Sequence, residues 1–268
     1  MDIEAVLRLS TLIAAAGSLL MALEDWLNRE EFSDAGLMAW PVAQLQWSWS
    51  RNERVMRRLR ALYGYRTFKL VTLARLALSA LLVPSCLFLD RLLVGLLVMG
   101  VFLLLVLGHV RTPYGGDGAD QMIIIVLAGA GLAWLLPAGG LAQKLALWFV
   151  TLQLVLSYGV AGVAKAVSRK WWDGTGLAGI FSTNSYGSPR FSALANRWPA
   201  LMIAMSWSVI LFEAGFPAAL FAPKELAVLF FLVGALFHLG TAVIMSLNTF
   251  LFAFLAAYPI AWYCLIGG

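Results

Sequence analysis

Apolar residues along this chain occur in long runs that lack the alternation of barrel strands. Each run is close to the length of about 20 residues that a helix needs to cross a bilayer. The runs predict spans near residues 6–25, 67–87, 91–109, 119–137, 141–166, 198–221, 226–246 and 249–266. Because backbone polar groups must be satisfied internally in hydrocarbon, the expected fold class is all-α. We therefore expect a polytopic integral membrane helix bundle with about eight transmembrane helices, forming one domain over residues 1–268.

Composition supports a membrane protein. Hydrophobic residues make up 62% of the chain and charged residues 12%. A water-soluble domain would need more charge to cover its surface. Met1 is followed by Asp2 and Glu4 instead of a basic stretch, so no cleavable signal peptide is predicted and the first helix is expected to stay in the mature protein.

Two connections between the predicted spans are long. Residues 26–66 contain the Trp-rich stretch LMAWPVAQLQWSWS followed by RNERVMRRLR. Aromatic residues suit the headgroup region and arginines suit anionic lipid, so we predict an interfacial segment; a docking surface for a soluble partner is the alternative. Residues 167–197 are rich in Gly, Ser, Asn and Pro, which indicates a structured loop instead of a helix.

Basic residues predict the orientation of the bundle. The connections after the first, third, fifth and seventh spans carry Arg51, Arg54, Arg57, Arg58, Arg60, Arg66, Arg111, Arg169, Lys170, Arg190 and Arg197. The opposite connections carry little beyond Arg91, Lys144 and Lys224. The positive-inside rule then places the first group in the cytoplasm and both termini outside. The arginine cluster next to a membrane indicates lipid contacts, and nucleic acid is not expected as a partner.

The two cysteines, Cys86 and Cys264, lie near the ends of apolar segments and form no CxxC pair. We interpret them as small packing residues, with a disulfide between them as the alternative.

Lys165 ends an almost uncharged helix in the segment YGVAGVAKAVSRKWWDG, residues 158–174. A lysine at such a position snorkels to water, pairs with an acid, or works in a cavity. Tyr158 and Gly162 project on the same helical face, where a small residue lets a neighbouring helix or a flat ligand approach closely. A desolvated lysine can serve as a general base, whereas the simpler hypothesis makes Lys165 part of a basic cytoplasmic flank.

Two further polar residues lie inside predicted spans. Glu213 occurs in SWSVILFEAGFP, where a carboxyl must be protonated, paired or facing a wet cavity, and Ser206 lies two turns before it. His238 lies in LVGALFHLGTAV. A lone helical histidine suits packing as well as ligand binding. No second histidine stands at ligand spacing and His109 is isolated, so no metal site is predicted.

The segment HVRTPYGGDGADQM, residues 109–122, surrounds Asp117 with glycines. Glycines permit tight turns, so this segment could hold Asp117 and Asp120 at the mouth of the fourth span. It lacks the lysine and hydroxyl residue of a phosphate-binding loop, and a simple turn is the alternative.

Three stretches together resemble a known family. YGVAGVAKAVSRKWWDG resembles the Tyr, Ala-Gly, Lys, Trp, Gly pattern shared by vitamin K-dependent gamma-carboxylase and the bacterial HTTM (horizontally transferred transmembrane domain) proteins. LFEAGFPAALF and LFHLGTAVIMSLNTFLFAFLAAYP resemble that family's acidic helix and its Phe-His segment. The glycine-rich turn at Asp117 is similar to the turn before the family's middle helix.

The resemblance implies a chemistry. In the carboxylase a lysine deprotonates reduced vitamin K, so the matching Lys165 would be the base acting on this or another quinol. Tyr158, Gly162, Trp171, Trp172, Glu213 and His238 would line or brace the substrate site. The family enzyme carries two adjacent lysines where this chain has Ala164 and Lys165.

The resemblance leaves two functions to compare. The first is a carboxylase/epoxidase-like membrane enzyme or enzyme subunit, of oxidoreductase or lyase type, that takes a lipid-soluble small molecule. The second is a non-catalytic membrane partner or maturation factor for a secreted peptide or soluble enzyme. Both imply contact with membrane lipids, and the bacterial relatives imply the inner (cytoplasmic) membrane.

Overall fold

The computed structural model describes residues 2–47, 52–112 and 116–267, and within these ranges the chain forms helices and no strands. Eight helices in this part are long and apolar enough to cross a membrane. They are α1 (Ile3–Leu27), α2 (Tyr65–Phe88), α3 (Arg91–Arg111), α4 (Gly118–Leu135), α5 (Leu141–Ala166), α6 (Pro199–Gly215), α7 (Lys224–Met245) and α8 (Asn248–Trp262). A 3₁₀ turn, Phe216–Leu220, extends α6, and a π turn, Tyr263–Gly267, extends α8. The predicted class, an all-α integral membrane bundle, is confirmed.

Helix α8 lies in the middle of the bundle and packs against α1, α4, α5 and α7. Its buried positions are mainly small residues: Ala253, Ala256, Ala257 and Ala261 are fully enclosed. Small side chains let helix backbones approach closely, which is how membrane helices gain packing energy when lipid offers no hydrophobic driving force. At Gly17 on α1, an added Cβ would lie 2.8 Å from the Cβ of Phe252, so α1 and α8 touch almost backbone to backbone.

Helix ends are capped by side chains. The Asp117 carboxylate accepts from the N–H groups of Ala119 and Asp120, while Asp120 accepts from the Asp117 N–H, which forms a capping box at the start of α4. At the other end of α4, Arg91 donates to the carbonyls of Ala133 (2.6 Å) and Leu136 (2.5 Å). These bonds satisfy backbone groups that would otherwise be costly near hydrocarbon.

Arg111, at the end of α3, ties the first long connection to the bundle. Its buried guanidinium donates to the carbonyl oxygens of Phe32 (2.9 Å), Met38 (3.3 Å) and Tyr63 (3.0 Å). It also lies 5.2 Å from the ring centroid of Phe32 and 4.7 Å from that of Phe68. One cation thus holds the connection at two separated places, before and after its Trp-rich stretch.

One tryptophan of the Trp-rich stretch is buried within the protein. Trp40 begins a helical turn, Trp40–Ala43, and is 2% exposed because it packs against Tyr63 with ring centroids 5.0 Å apart. The protein itself covers this ring, and the interfacial position of the segment 26–66 stays a prediction. Residues 48–51, which include Trp49 and Arg51, lie outside the described residues.

The second long connection is helical where composition predicted a structured loop. Three short helices, Arg169–Trp172, Thr175–Phe181 and Pro189–Arg197, occupy most of residues 167–197. Gly174, at a φ of 76°, allows the sharp break between the first two. Pro189 starts the third at a position where its missing N–H costs nothing. The prediction of a loop was wrong. The turn residues between these short helices dominate the composition of residues 167–197 and conceal the helices.

Both cysteines are free. Cys86 is fully buried on α2 and Cys264 is partly buried in the π turn after α8, so each acts as a packing residue instead of half of a disulfide.

We expect Arg111→Met to loosen the first connection. The change leaves three backbone carbonyls without their donor, and hydrogen bonds to a charged group contribute about 1.5–3 kcal/mol each. The variant should unfold at a lower temperature in detergent, and residues 28–63 should become sensitive to limited proteolysis. Unchanged proteolysis of this segment would contradict the anchoring role.

Candidate functional site

Lys165 forms an ion pair with Glu213. Lys165 lies in the last turn of α5 and its Nζ is 2.5 Å from Oε2 of Glu213 on α6. The lysine side chain is 21% exposed and the glutamate side chain 6% exposed. The ammonium also lies 5.2 Å from the ring centroid of Trp171, within cation–π range. Lys165 is therefore paired, and its ammonium group neutralises the buried carboxylate of Glu213.

Gly162 permits this pair. A Cβ built at Gly162 would lie 2.6 Å from the Cα of Ala214 and 2.6 Å from the carbonyl carbon of Glu213. Contacts this short do not occur, so only glycine allows the backbones of α5 and α6 to cross here. Because the helices cross closely at Gly162, Lys165, about one turn later on α5, can reach Glu213 on α6.

Trp172 links the end of α5 to α6. Trp172 donates from Nε1 to the Ala166 carbonyl at 2.6 Å and stacks on Trp207 of α6 with centroids 6.4 Å apart. Asp173 follows, and two bonds from Thr175, one from its N–H (2.9 Å) and one from its hydroxyl (2.6 Å), hold the pKa of Asp173 below its ordinary value. This turn directs the chain from α5 back over α6.

A second polar cluster lies deeper on the same face of α5. The Tyr158 hydroxyl is 2.7 Å from Nε2 of His238 and 2.6 Å from the Tyr258 hydroxyl. Tyr158 precedes Lys165 by two turns, an axial distance of about 10 Å along the helix. Rings of Phe212, Phe216 and Phe254 surround it at centroid distances of 5.2, 4.2 and 5.2 Å. Three helices thus meet at one tyrosine hydroxyl.

Tyr258 was missed by the sequence reasoning. A tyrosine hydroxyl in the middle of an apolar span needs a partner, and that requirement would have pointed to it. Gly234 on α7 leaves room for the Tyr258 side chain, because a Cβ built at position 234 would lie 3.1 Å from Tyr258 Cζ.

Two polar atoms near these clusters have no partner among the described residues. They are Nδ1 of His238 and the hydroxyl of Ser206, both fully buried. A buried polar atom without a partner costs about 1–3 kcal/mol, and the cost is recovered when a ligand or water supplies the bond.

A lipid-facing groove runs along α5 and α6 beside the ion pair. Its volume is about 750 Å³ and only one lining residue, Gln153, is polar. Ala164 and Ala214, the sequence neighbours of Lys165 and Glu213, both line it. The remaining lining residues are Leu152, Val155, Leu156, Gly159, Val160, Val163 and Pro217. The groove thus reaches the sequence neighbours of both charged residues, whereas Lys165 and Glu213 themselves are not among its lining residues.

The carboxylates of Asp117 and Asp120 lie elsewhere. They line a polar cavity of about 300 Å³ between α1, α2, α3, α4 and the start of α8. Glu24 and Asp25 of α1 share this cavity with His109, and Asp25 pairs with the buried Arg75 of α2. The structure therefore brings Lys165, Glu213 and Trp171 together, sets Tyr158 and His238 in a neighbouring cluster, and puts Asp117 and Asp120 in a separate cavity.

The pair can hold one proton in two ways. With the proton on Lys165, the site contains an ammonium and a carboxylate; with the proton on Glu213, both groups are neutral. Low-dielectric surroundings reduce the energy gap between these forms, because they penalise separated charges. Lys165 in the neutral form has a free lone pair on Nζ, which is what a general base requires.

A comparison with protein-family models finds none that matches the chain, and comparisons with curated proteins and with solved structures find no match either.

We expect Gly162→Ala to destabilise the protein by about 1–3 kcal/mol, because the added methyl group forces α5 and α6 apart. Gly240→Ala on α7 is the matched control, since an added Cβ there has no neighbour within 4 Å. Thermal unfolding in detergent compares the two. Equal unfolding temperatures for both variants would contradict the close crossing at Gly162.

A double-mutant cycle tests the ion pair. Lys165→Met leaves the buried Glu213 without its partner and should cost about 3–5 kcal/mol, whereas combining it with Glu213→Leu removes both charges and should recover most of that loss. The free energies of unfolding of Lys165→Met, Glu213→Leu and the double variant, each compared with the unmodified protein, give the coupling. Additive effects would show that the two side chains do not interact.

Proposed function

We propose that this protein is an HTTM-like membrane enzyme or enzyme subunit, resembling the membrane domain of vitamin K-dependent gamma-carboxylase, that acts on reduced vitamin K or a similar quinol. One observation carries the proposal: Lys165 pairs with Glu213 where α5 and α6 cross, and an apolar surface groove along these two helices is lined by their sequence neighbours Ala164 and Ala214. A lipid-soluble substrate reaches such a site from the bilayer, and a flat head on a hydrocarbon tail suits a groove with one polar lining residue.

Lys165 is the general base in this proposal. A quinol supplies a hydroxyl whose proton can be removed. Nζ of Lys165 accepts that proton when the shared proton of the pair lies on Glu213, and the Trp171 ring at 5.2 Å then stabilises the ammonium. Glu213 thus sets the protonation of Lys165 without touching the substrate.

The neighbouring cluster would orient the substrate. Nδ1 of His238 is buried and has no partner within the described part of the chain, and Nε2 lies 2.7 Å from the Tyr158 hydroxyl. A histidine fixed at one nitrogen can offer the other to a carbonyl or hydroxyl group of a ligand. Tyr158 and Tyr258 would hold the imidazole in place. In this account Trp172 and Gly162 shape the site through packing.

The alternative is a non-catalytic partner or maturation factor for a secreted peptide or soluble enzyme. The connection between α5 and α6 favours it, since Trp172, Tyr186 and Trp198 are each about half exposed on the same membrane side as Lys165. Exposed aromatic side chains are enriched where proteins bind one another. For either function we propose the bacterial inner membrane as the location.

We expect Lys165→Ala to abolish turnover of a quinol such as reduced vitamin K, with a loss of at least about 100-fold, the usual contribution of a general base. Lys144→Ala is the matched control: that lysine lies on the same helix, is exposed, and faces the opposite membrane end. Both variants are purified in detergent and assayed for quinol consumption.

The outcomes separate the two functions. Loss of turnover in Lys165→Ala alone, with that variant still folded in detergent, supports the general base. Full turnover in both variants contradicts it. Absence of turnover in the unmodified protein, together with co-purification of a secreted or soluble protein that survives Lys165→Ala, supports the maturation factor.

A further inference from the structure

The most strongly charged surface that the proposed function does not use is the short helix Glu53–Tyr63, ERVMRRLRALY. It carries Arg54, Arg57, Arg58 and Arg60, all exposed. Among residues 2–47, 52–112 and 116–267, no acidic side chain forms an ion pair with any of these four arginines. A cluster of four unpaired cations on one helix repels itself unless an external anion is present.

The helix is amphipathic. At 100° per residue, Val55, Met56, Leu59, Leu62 and Tyr63 fall within an arc of about 120°, and the four arginines occupy the opposite side. Leu59 and Tyr63 pack on the cluster around Trp40, while Val55 and Leu62 remain partly exposed at the edge of the apolar arc. An apolar edge next to a cationic face is the pattern of a helix that lies in the plane of a membrane surface.

The helix is fixed at the membrane end of the bundle. It ends at Tyr63, and only Gly64 separates it from the start of α2 at Tyr65. The Tyr63 carbonyl accepts from Arg111 at 3.0 Å, so the end of α3 holds the helix in place. A helix attached at this level, with exposed cations, meets lipid headgroups before it meets any soluble molecule.

We propose that the helix Glu53–Tyr63 is a binding site for anionic phospholipid headgroups. The arginine guanidinium groups donate hydrogen bonds to the lipid phosphate oxygens, and Val55 and Leu62 contact the upper part of the acyl chains. Arg66, exposed in the first turn of α2, extends the same cationic surface. Because α2 begins and α5 ends on one side of the bundle, the lipid-binding leaflet is the one onto which Lys165 opens.

Native mass spectrometry of the full chain in detergent tests the site, with phosphatidylglycerol and phosphatidylcholine titrated separately. Each arginine at an anionic surface contributes about fivefold in affinity. Replacing Arg54, Arg57, Arg58 and Arg60 with Gln should therefore lower the affinity for phosphatidylglycerol by at least about tenfold and leave that for phosphatidylcholine unchanged. Thermal unfolding should not change, since the four side chains are exposed.

The matched control removes the same charge from the same side of the membrane. It replaces Arg169, Lys170, Arg190 and Arg197, which are exposed on the connection between α5 and α6, with Gln. This control should keep the preference for phosphatidylglycerol. Equal loss in both variants would show that net charge alone attracts lipid, and no lipid preference in the unmodified protein would show that the helix serves another partner; either result overturns the proposal.

Discussion

A charge in apolar surroundings must have a partner, and the pairing of Lys165 with Glu213 is where this protein meets that constraint most directly. Glu213 alone would be costly at its depth, because removing Lys165 leaves an uncompensated charge in low-dielectric surroundings. The pair in turn requires α5 and α6 to cross closely, which requires glycine at position 162. Tyr158, two turns before Lys165, lies on the same face of α5.

The rest of the bundle divides into two polar regions. On one side, α5 to α8 enclose the ion pair and the hydroxyl network of Tyr158 and Tyr258. On the other, α1 to α4 and the start of α8 surround the cavity that contains Asp117 and Asp120. Helix α8, with its row of small buried residues, contacts helices of both regions and makes them one packed unit.

The sequence predicted the helices well because crossing a bilayer imposes a length and an apolar composition that can be counted. The span expected near 141–166 matches α5, Leu141–Ala166, at both ends. The short helices were harder to predict, because a helix such as Thr175–Phe181 is too brief to leave a compositional signal. The burial of Trp40 could not be predicted, because the local sequence is the same whether lipid or Tyr63 covers the ring.

The site was predictable only in part, for a related reason. Lys165 and Glu213 were each identifiable as polar anomalies in apolar runs, yet their pairing depends on how α5 crosses α6, which no local pattern specifies. Gly162 was interpreted as room for a ligand or a helix, and the backbone of Ala214 occupies that room. Tyr258 could have been singled out as a polar group in a span, but its contact with Tyr158 and the groove along α5 depend on how the helices pack. A polar residue in a span predicts that a partner exists, and packing decides which one.

We propose that a lipid-soluble substrate binds in the groove along α5 and α6, next to the pair of Lys165 and Glu213. Photo-crosslinking with a quinone that carries a diazirine on its tail tests this claim most directly. The account predicts labelling on residues 152–164 and 214–217, with the label displaced by excess unlabelled quinone. Labelling spread over the lipid-facing surfaces of all helices, including α3, and unaffected by competitor would contradict it.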